Sequence, residues 1–137
     1  MKVMIDTNVI IDVLLERENF VEESYKVLSM CEGRHISGFV SASSVTDIYY
    51  LVRKYTHSAK LAYKAIGKLL EIVKVCDVTN NDVLTAFQKK AKDFEDCLVS
   101  VCARSNSCKY IITRNKKDFE NFEVEALTPT EFLNTSI

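Results

Sequence analysis

The segment VMIDTNVIIDVLL, residues 3–15, decides the fold. Val3, Met4 and Ile5 form a short apolar run that stops at Asp6, and Val9 to Leu15 resume an apolar pattern of helical length. This predicts strand, turn, helix. The same junction recurs downstream. Gly38 to Ala42 (GFVSA) is strand-like, and Ser43 or Ser44 caps a helix carrying Val45, Ile48, Tyr49 and Val52. Ile72 to Cys76 (IVKVC) reads as a third strand, after which Thr79 caps a helix with Val83, Leu84 and Phe87. Asp93 opens a helix with Leu98, Val101 and Cys102 inward, and Tyr110 to Thr113 (YIIT) is a further strand. Between these lie an amphipathic helix over Phe20 to Cys31, ended by Gly33 and turning Val21, Tyr25, Leu28 and Cys31 to one side, and a helix from Ser58 to Leu70. Val124 to Leu127 suits an edge strand, and Pro129 fits the first turn of a closing helix. Strands alternating with helices imply an α/β fold, a parallel sheet covered on both faces, because parallel strands need long crossovers. Ligands of such folds bind beyond the carboxyl ends of the strands, where the strand order switches.

The 137 residues, 47% of them hydrophobic and 27% charged, suit a single domain over 1–137 with its own core. With 3 Gly and 1 Pro the chain is neither loop-rich nor low-complexity. Lys and Arg number 18 against 19 Asp and Glu, so any nucleic-acid site must be a local feature. The 5 Cys are odd in number, form no CxxC pair and read as core thiols of a reducing compartment, with Cys108 the candidate for exposure. Asp6 makes the N-terminal apolar run too short and polar for a signal peptide, and no run nears the ~18 apolar residues of a membrane span. The expected location is the cytoplasm, with no membrane partner.

Asp6 directly follows the first strand, Asp47 lies in the first turns of the helix after the second, and Asp96 lies near the start of the helix before YIIT. Thr113, Asn115 and Asp118 follow YIIT itself. In a parallel sheet these positions gather toward one edge, where carboxylates repel one another unless protonated or neutralised, and a hard divalent cation is the ordinary remedy. Mg²⁺, which takes few carboxylates plus waters and phosphate oxygens, suits an open acidic site better than Ca²⁺ does. Each residue also has a plainer reading. Asp6 is a possible helix cap, with Thr7 and Asn8 as alternatives. Asp47 and Asp96 suit helix N-termini, Asp93 and Glu95 read as capping or solvated, and Thr113 and Asn115 as strand end and turn former.

VMIDTNVIIDVL, SASSVTDIYYLVRK, DFEDCLVSVCA and YIITRNKKDF occur in the order and spacing of PIN domains. Over essentially its whole length the chain resembles the small bacterial PIN-domain ribonucleases, including toxins of the VapC kind. The resemblance implies an α/β/α sandwich whose carboxylates bind Mg²⁺ or Mn²⁺ and cleave RNA. By motif position Asp6, Asp47 and Asp96 correspond to the first three family acids and the metal ligands, and TRNKKDF to the region of the fourth. Two departures stand out. Asp47 is one methylene shorter than the Glu common in the family, and Asn115 stands where many members carry Asp. Asp118 is therefore the candidate fourth acid, with Thr113, Asn115, Asn8 and Arg114 as substrate-positioning groups.

The implied reaction is attack of a metal-activated water on an RNA phosphodiester, leaving a 5′-phosphate and a 3′-hydroxyl. His35 and His57, the only histidines, sit in surface-like segments, which disfavours a histidine-pair ribonuclease. Lys60, Lys64 and Lys68 on one helix face, and Arg53, Lys54, Arg114, Lys116 and Lys117 near the expected site, are candidates to guide the phosphate backbone, and Tyr49 or Tyr50 to stack on bases. A haloacid-dehalogenase-like phosphatase needs an Asp where Asn8 stands, and a receiver domain needs an acidic pair at the first strand. The remaining alternative is a catalytically weak PIN-like RNA-binding or RNA-processing module. The resemblance further implies a homodimer and a protein antitoxin, whose Arg, inserted among the carboxylates, would pair with them and exclude the metal.

Overall fold

The computed structural model describes residues 1–135. Five strands, β1 (Lys2–Ile5), β2 (Ser37–Ser41), β3 (Lys74–Cys76), β4 (Tyr110–Ile112) and β5 (Glu125–Leu127), form one sheet in the order β3-β2-β1-β4-β5. Every neighbouring pair is parallel. The chain builds outward from β1 to β3 and then returns to the other side of β1, so the order switches between β1 and β4. That crevice is where a doubly wound sheet binds its ligand.

Seven helices cover the sheet: α1 (Thr7–Leu14), α2 (Val21–Glu32), α3 (Ala42–Thr56), α4 (Ala59–Ile72), α5 (Asn80–Lys89), α6 (Phe94–Ser105) and α7 (Pro129–Leu133). Alternation along the buried central strand divides the core. Val3 and Ile5 join Val9, Ile10, Val27, Ile48, Leu69 and Phe132 on one face, whereas Met4 joins Ala86, Cys97, Cys102, Ile111 and Phe119 on the other. The result is an α/β/α sandwich. Among the described residues no helix is long and apolar enough to cross a membrane.

Several sequence expectations are corrected in detail. The third helix begins at Ala42 with Ser41 at its N-cap, and Ser43 and Ser44 lie inside its first turn, their hydroxyls 3.1 and 2.8 Å from Ser41 Oγ. The fourth runs on to Ile72, closed by the Val73 amide on Leu69 O, which shortens β3 to three residues. In α2 the buried residues are Ser24, Val27, Leu28 and Cys31, while Tyr25 is exposed, because Ser24 turns inward to donate to Asp12. In α5 the buried residues are Asp82 and Ala86, and Val83, Leu84 and Phe87 face solvent. Asp82 is drawn in by its capping box with Thr79 and by the Ser105 hydroxyl at 2.8 Å. Cys108 is buried like the other four thiols, and burial pushes Cys31 and Cys102 up to about 12. None is a reactive thiolate at neutral pH.

Gly38, the second residue of β2, allows α2 to close on the sheet: a Cβ there would stand 2.5 Å from Cys31 Sγ and 3.2 Å from Val73 Cγ1. Gly38→Ala should therefore cost about 1–3 kcal/mol by overpacking. Urea unfolding reads the loss directly, and in a double-mutant cycle with Cys31→Ala the two costs should fail to add.

Candidate active site

β1 and β4 end side by side, and the Asp6 amide donates to Ile112 O at 2.9 Å, one residue past each strand. This pairing brings the side chains after the two strands together. Thr113 is fully buried; its hydroxyl donates to Asp6 Oδ2 at 2.8 Å and accepts from the Asn115 amide at 3.1 Å and Asn8 Nδ2 at 3.4 Å. Asp6 Oδ1 accepts from the Thr7 amide at 2.9 Å, so Asp6 is also the N-cap of α1. The capping reading of Asp6 holds, and it leaves Oδ2 to Thr113 at the strand end. Burial raises its pKa above the usual carboxylate range, against the lowering effect of Thr113 and Thr7, with Asp118 raising it further.

The second carboxylate comes from α6. Asp93 is its N-cap, accepting from the Asp96 amide at 2.9 Å. At the same third position of α5 and α7, Asp82 and Glu131 fold back onto their N-cap amides. Asp96 makes no such bond, and its carboxyl stands in the field of its neighbours. Burial, followed by the charges of Asp93, Asp6, Asp118 and Glu95, pushes it up to about 7. Glu95 is raised by its own burial, then by Asp47 and Asp93, with Asp6 contributing.

The structure thus brings Asp6, Asp96 and Asp118 within reach of one another's charge. Asp47, in the second turn of α3, meets them through Glu95. Glu95 and Asp93, read from sequence as solvated or capping, belong to the cluster. Three acids in four positions gave no sequence signal to separate them: Asp93 and Asp96 stand three apart, on one side of the helix start, and Glu95 lies between them in sequence. Of the two candidates near the end of TRNKKDF, Asp118 carries the charge that reaches Asp6 and Asp96, on a single 3₁₀ turn, Lys116–Phe119. Asn115 is exposed and meets Thr113 through its backbone amide.

Other candidates point elsewhere. The Arg114 guanidinium is drawn onto Asp12 of α1, with Nε 2.8 Å from Oδ2, and lies 4.0 Å from the Phe20 ring centre. Asp12, fully buried, had no local signal, because Arg114 reaches it from the end of the neighbouring strand β4, far along the chain. Lys116 pairs with Glu131 at 2.8 Å and Lys68 with Glu32 at 3.2 Å. Arg53 and Lys54 occupy the last turn of α3, at the far end from β2. Tyr49 packs edge-on against Tyr50 and Tyr63, and Tyr50 is exposed. His35 and His57 are exposed. A groove of about 760 Å³ opens beside the cluster, lined by Lys89, Lys92, Lys117 and Phe122 together with Asp93 and Asp118.

The residues present fit a hard divalent cation. No cation appears among the groups that most strongly shift Asp96, and the donors are all carboxylate oxygens. Among the described residues no three acidic, His or Cys side chains stand close enough together to hold a metal ion between them, and Mg²⁺ requires only one or two carboxylates completed by water and phosphate oxygens.

A PIN-domain family model matches residues 2–117. The chain is 31% identical over 134 residues to Ribonuclease VapC1 of Aquifex aeolicus, covering 96% of this chain and 92% of that one. Its fold is similar to that of a DNA-bound VapBC from Salmonella typhimurium, with a TM-score of 0.73, 16% identity and coverage of 94% and 98% of the two chains. It is also similar to a toxin–antitoxin complex from Klebsiella pneumoniae, with a TM-score of 0.66, 20% identity and coverage of 93% and 97%. At those identities the two structures speak to fold alone. The family match, the relative and the strand-switch site agree: this chain belongs to the PIN-domain family.

Proposed function

We propose that the protein is a divalent-metal-dependent endoribonuclease and the toxin of a toxin–antitoxin pair. The observation that carries this reading is the set of uncompensated carboxylates around Asp6 and Asp96 at the β1–β4 switch, supported by the similarity to Ribonuclease VapC1. Asp6 and Asp96 would hold Mg²⁺ or Mn²⁺, with Asp118 and, through Glu95, Asp47 around them. When bound, the cation supplies neutralising charge at the scissile phosphate and an acidified water for in-line attack on phosphorus.

The chain's own groups supply the rest. Thr113 fixes the direction of the Asp6 carboxylate through one short hydrogen bond. Asn8 and Asn115 in turn hold the Thr113 hydroxyl. Lys89, Lys92 and Lys117 line the adjoining groove and offer the substrate backbone positive charge beside an acidic centre. Among the described residues Lys92 and Lys117 make no ion pair within 4.0 Å, whereas Lys89 is shared with Glu123 at 3.8 Å. The toxin reading leans on the complexes to which the fold is similar. Its partner would be an antitoxin that places an Arg among Asp6, Asp96 and Asp118, where bidentate pairing excludes the cation. The toxin is expected to act as a homodimer.

Purified protein incubated with single-stranded RNA and Mn²⁺ should release fragments with 5′-phosphate and 3′-hydroxyl ends, and EDTA should stop it. Asp6→Asn and Asp96→Asn should each stay folded and lose at least ~10²-fold in kcat, the equivalent of a few kcal/mol of charge stabilisation. Cyclic phosphate ends, or cutting that persists in EDTA, would sink the mechanism. Tight RNA binding with no cleavage would instead identify the binding-module alternative.

The acidic cluster also makes stability depend on pH. Asp96, raised to about 7 from an ordinary 3.8, and Asp6 and Glu95, raised with it, bind protons more tightly folded than unfolded. Their contribution is fully present below pH 4 and is lost as pH rises toward 7. Across that window the metal-free protein should lose melting temperature through these groups. Mn²⁺ at a hundredfold excess over its Kd should restore roughly 5–10 °C at pH 8 and much less at pH 5, as differential scanning calorimetry will read.

A further inference from the structure

Asp12 is a charged side chain with no exposed surface, two turns down α1 from Asp6 and outside the acidic cluster. Its Oδ2 lies 2.8 Å from Arg114 Nε and accepts from the Ser24 hydroxyl at 3.3 Å, and Arg17 Nη1 stands 3.8 Å from Oδ1. The Nε–H of Arg114 makes no hydrogen bond, so its contact with Asp12 is one of opposite charges in a dry setting. The other face of the guanidinium lies on the Phe20 ring. A carboxylate is costly to bury, and one so placed holds its partner firmly, since moving Arg114 away would leave the charge alone.

Arg114 is also the middle residue of the turn, 113–115, that serves the site. Its backbone amide donates to Asn8 Oδ1 at 3.3 Å, and Asn8 Nδ2 donates in turn to Thr113 Oγ1. Thr113 Oγ1 accepts from the Asn115 amide and donates to Asp6 Oδ2. A continuous set of contacts therefore runs from Asp12 through Arg114 and Thr113 to Asp6. We propose that Asp12 is a positioning residue: acting through Arg114, it fixes the turn of residues 113–115 after β4 and so the direction in which Asp6 presents its carboxylate. This rests on the assignment of Asp6 as a cation-holding carboxylate. The inference also gives Arg114 a different task from contacting substrate.

The test uses the full chain with Asp12→Asn, which keeps the shape and removes the charge. Amide exchange at Arg114 and Asn115 should quicken about tenfold while β1 and α6 stay protected, as expected of a local opening. The Mn²⁺ dissociation constant should rise roughly 10–100-fold, as when a supporting partner of a metal ligand is lost, and kcat on RNA should fall by a similar factor with KM held within about twofold. In a Thr113→Val background, where the link to Asp6 is cut, Asp12→Asn should bring no further loss of Mn²⁺ affinity. If Asp12→Asn does not fold, Asp12→Asn combined with Arg114→Gln removes both charges, strands neither, and is judged by the same measurements. A folded variant with unchanged exchange at Arg114 and Asn115 and unchanged Mn²⁺ affinity overturns the proposal, as does full additivity with Thr113→Val. Wild-type protein that neither binds Mn²⁺ nor cuts RNA removes the nuclease reading instead. Exchange at those two amides then decides the clamp alone, faster in its favour and unchanged against it.

Discussion

The hydrogen bond from Thr113 to Asp6 joins residues 107 positions apart and exists only because β1 and β4 are parallel neighbours in register. Everything distinctive about the molecule depends on that adjacency. A chain that built its sheet in one direction would leave the end of β1 flanked by β2 alone, with no second strand end to share its edge. Because the order switches at β1, two chain segments leave the sheet in diverging directions, and the space between them stays open. Asp6 stands on one wall of that space and Thr113 on the other, while α6 brings Asp96 from the opposite layer.

Elsewhere the chain balances its charges locally. Lys26 meets Glu22 and Glu23, Lys68 meets Glu32 and Glu71, Lys116 meets Glu131, and Arg104 meets Glu123. Such exposed pairs add little to stability, but they show that opposite charges are to hand. At the strand switch the pattern fails. Six acids, Asp6, Asp47, Asp93, Glu95, Asp96 and Asp118, share one region, and Arg114, the basic group that most affects Asp6, is tied to Asp12. Burial and then neighbouring charge push Asp6, Glu95 and Asp96 up, a cost that folding elsewhere must offset. The two buried faces of β1, each packed by its own helices, provide that offset.

The sheet was legible in the sequence because its strands are apolar runs ended by turn residues, and its helices carry caps at Ser58, Thr79, Asp93 and Thr128. The residues after β1 and β4 were legible for the same reason, since a polar residue at the end of an apolar strand is conspicuous. What escaped was polar burial. An apolar stripe gives a helix its period, but a buried Ser24 or Asp82 shifts the phase, and each was drawn inward by a partner on another element, Asp12 and Ser105. Asp12 itself lay hidden in the apolar run IIDVL, because the arginine that justifies its burial comes 102 residues later. Glu95 was masked differently, by two acids beside it with equal local claims.

Two helix N-termini meet at the carboxylates: α1 begins at Asp6, and α6 begins at Asp93 with Asp96 in its first turn. The positive end of a helix favours an anion by about 0.3–1 kcal/mol at an exposed terminus, so both helices lower the cost of placing acids there. They do not abolish it. Asp96 is still held at about 7 by burial and by its acidic neighbours, which means that the helix ends are outweighed. A structural cap would gain nothing from this excess, since Asp93 alone accepts the amide of Asp96 and completes the turn. Capping therefore accounts for Asp93 and one oxygen of Asp6, and leaves Asp96 and Asp118 without a structural purpose in the fold. On the proposed reading, carboxylates retained where they repel, at the mouth of a strand switch and beside a groove lined by lysines, would serve a cation and an anionic substrate that arrive together.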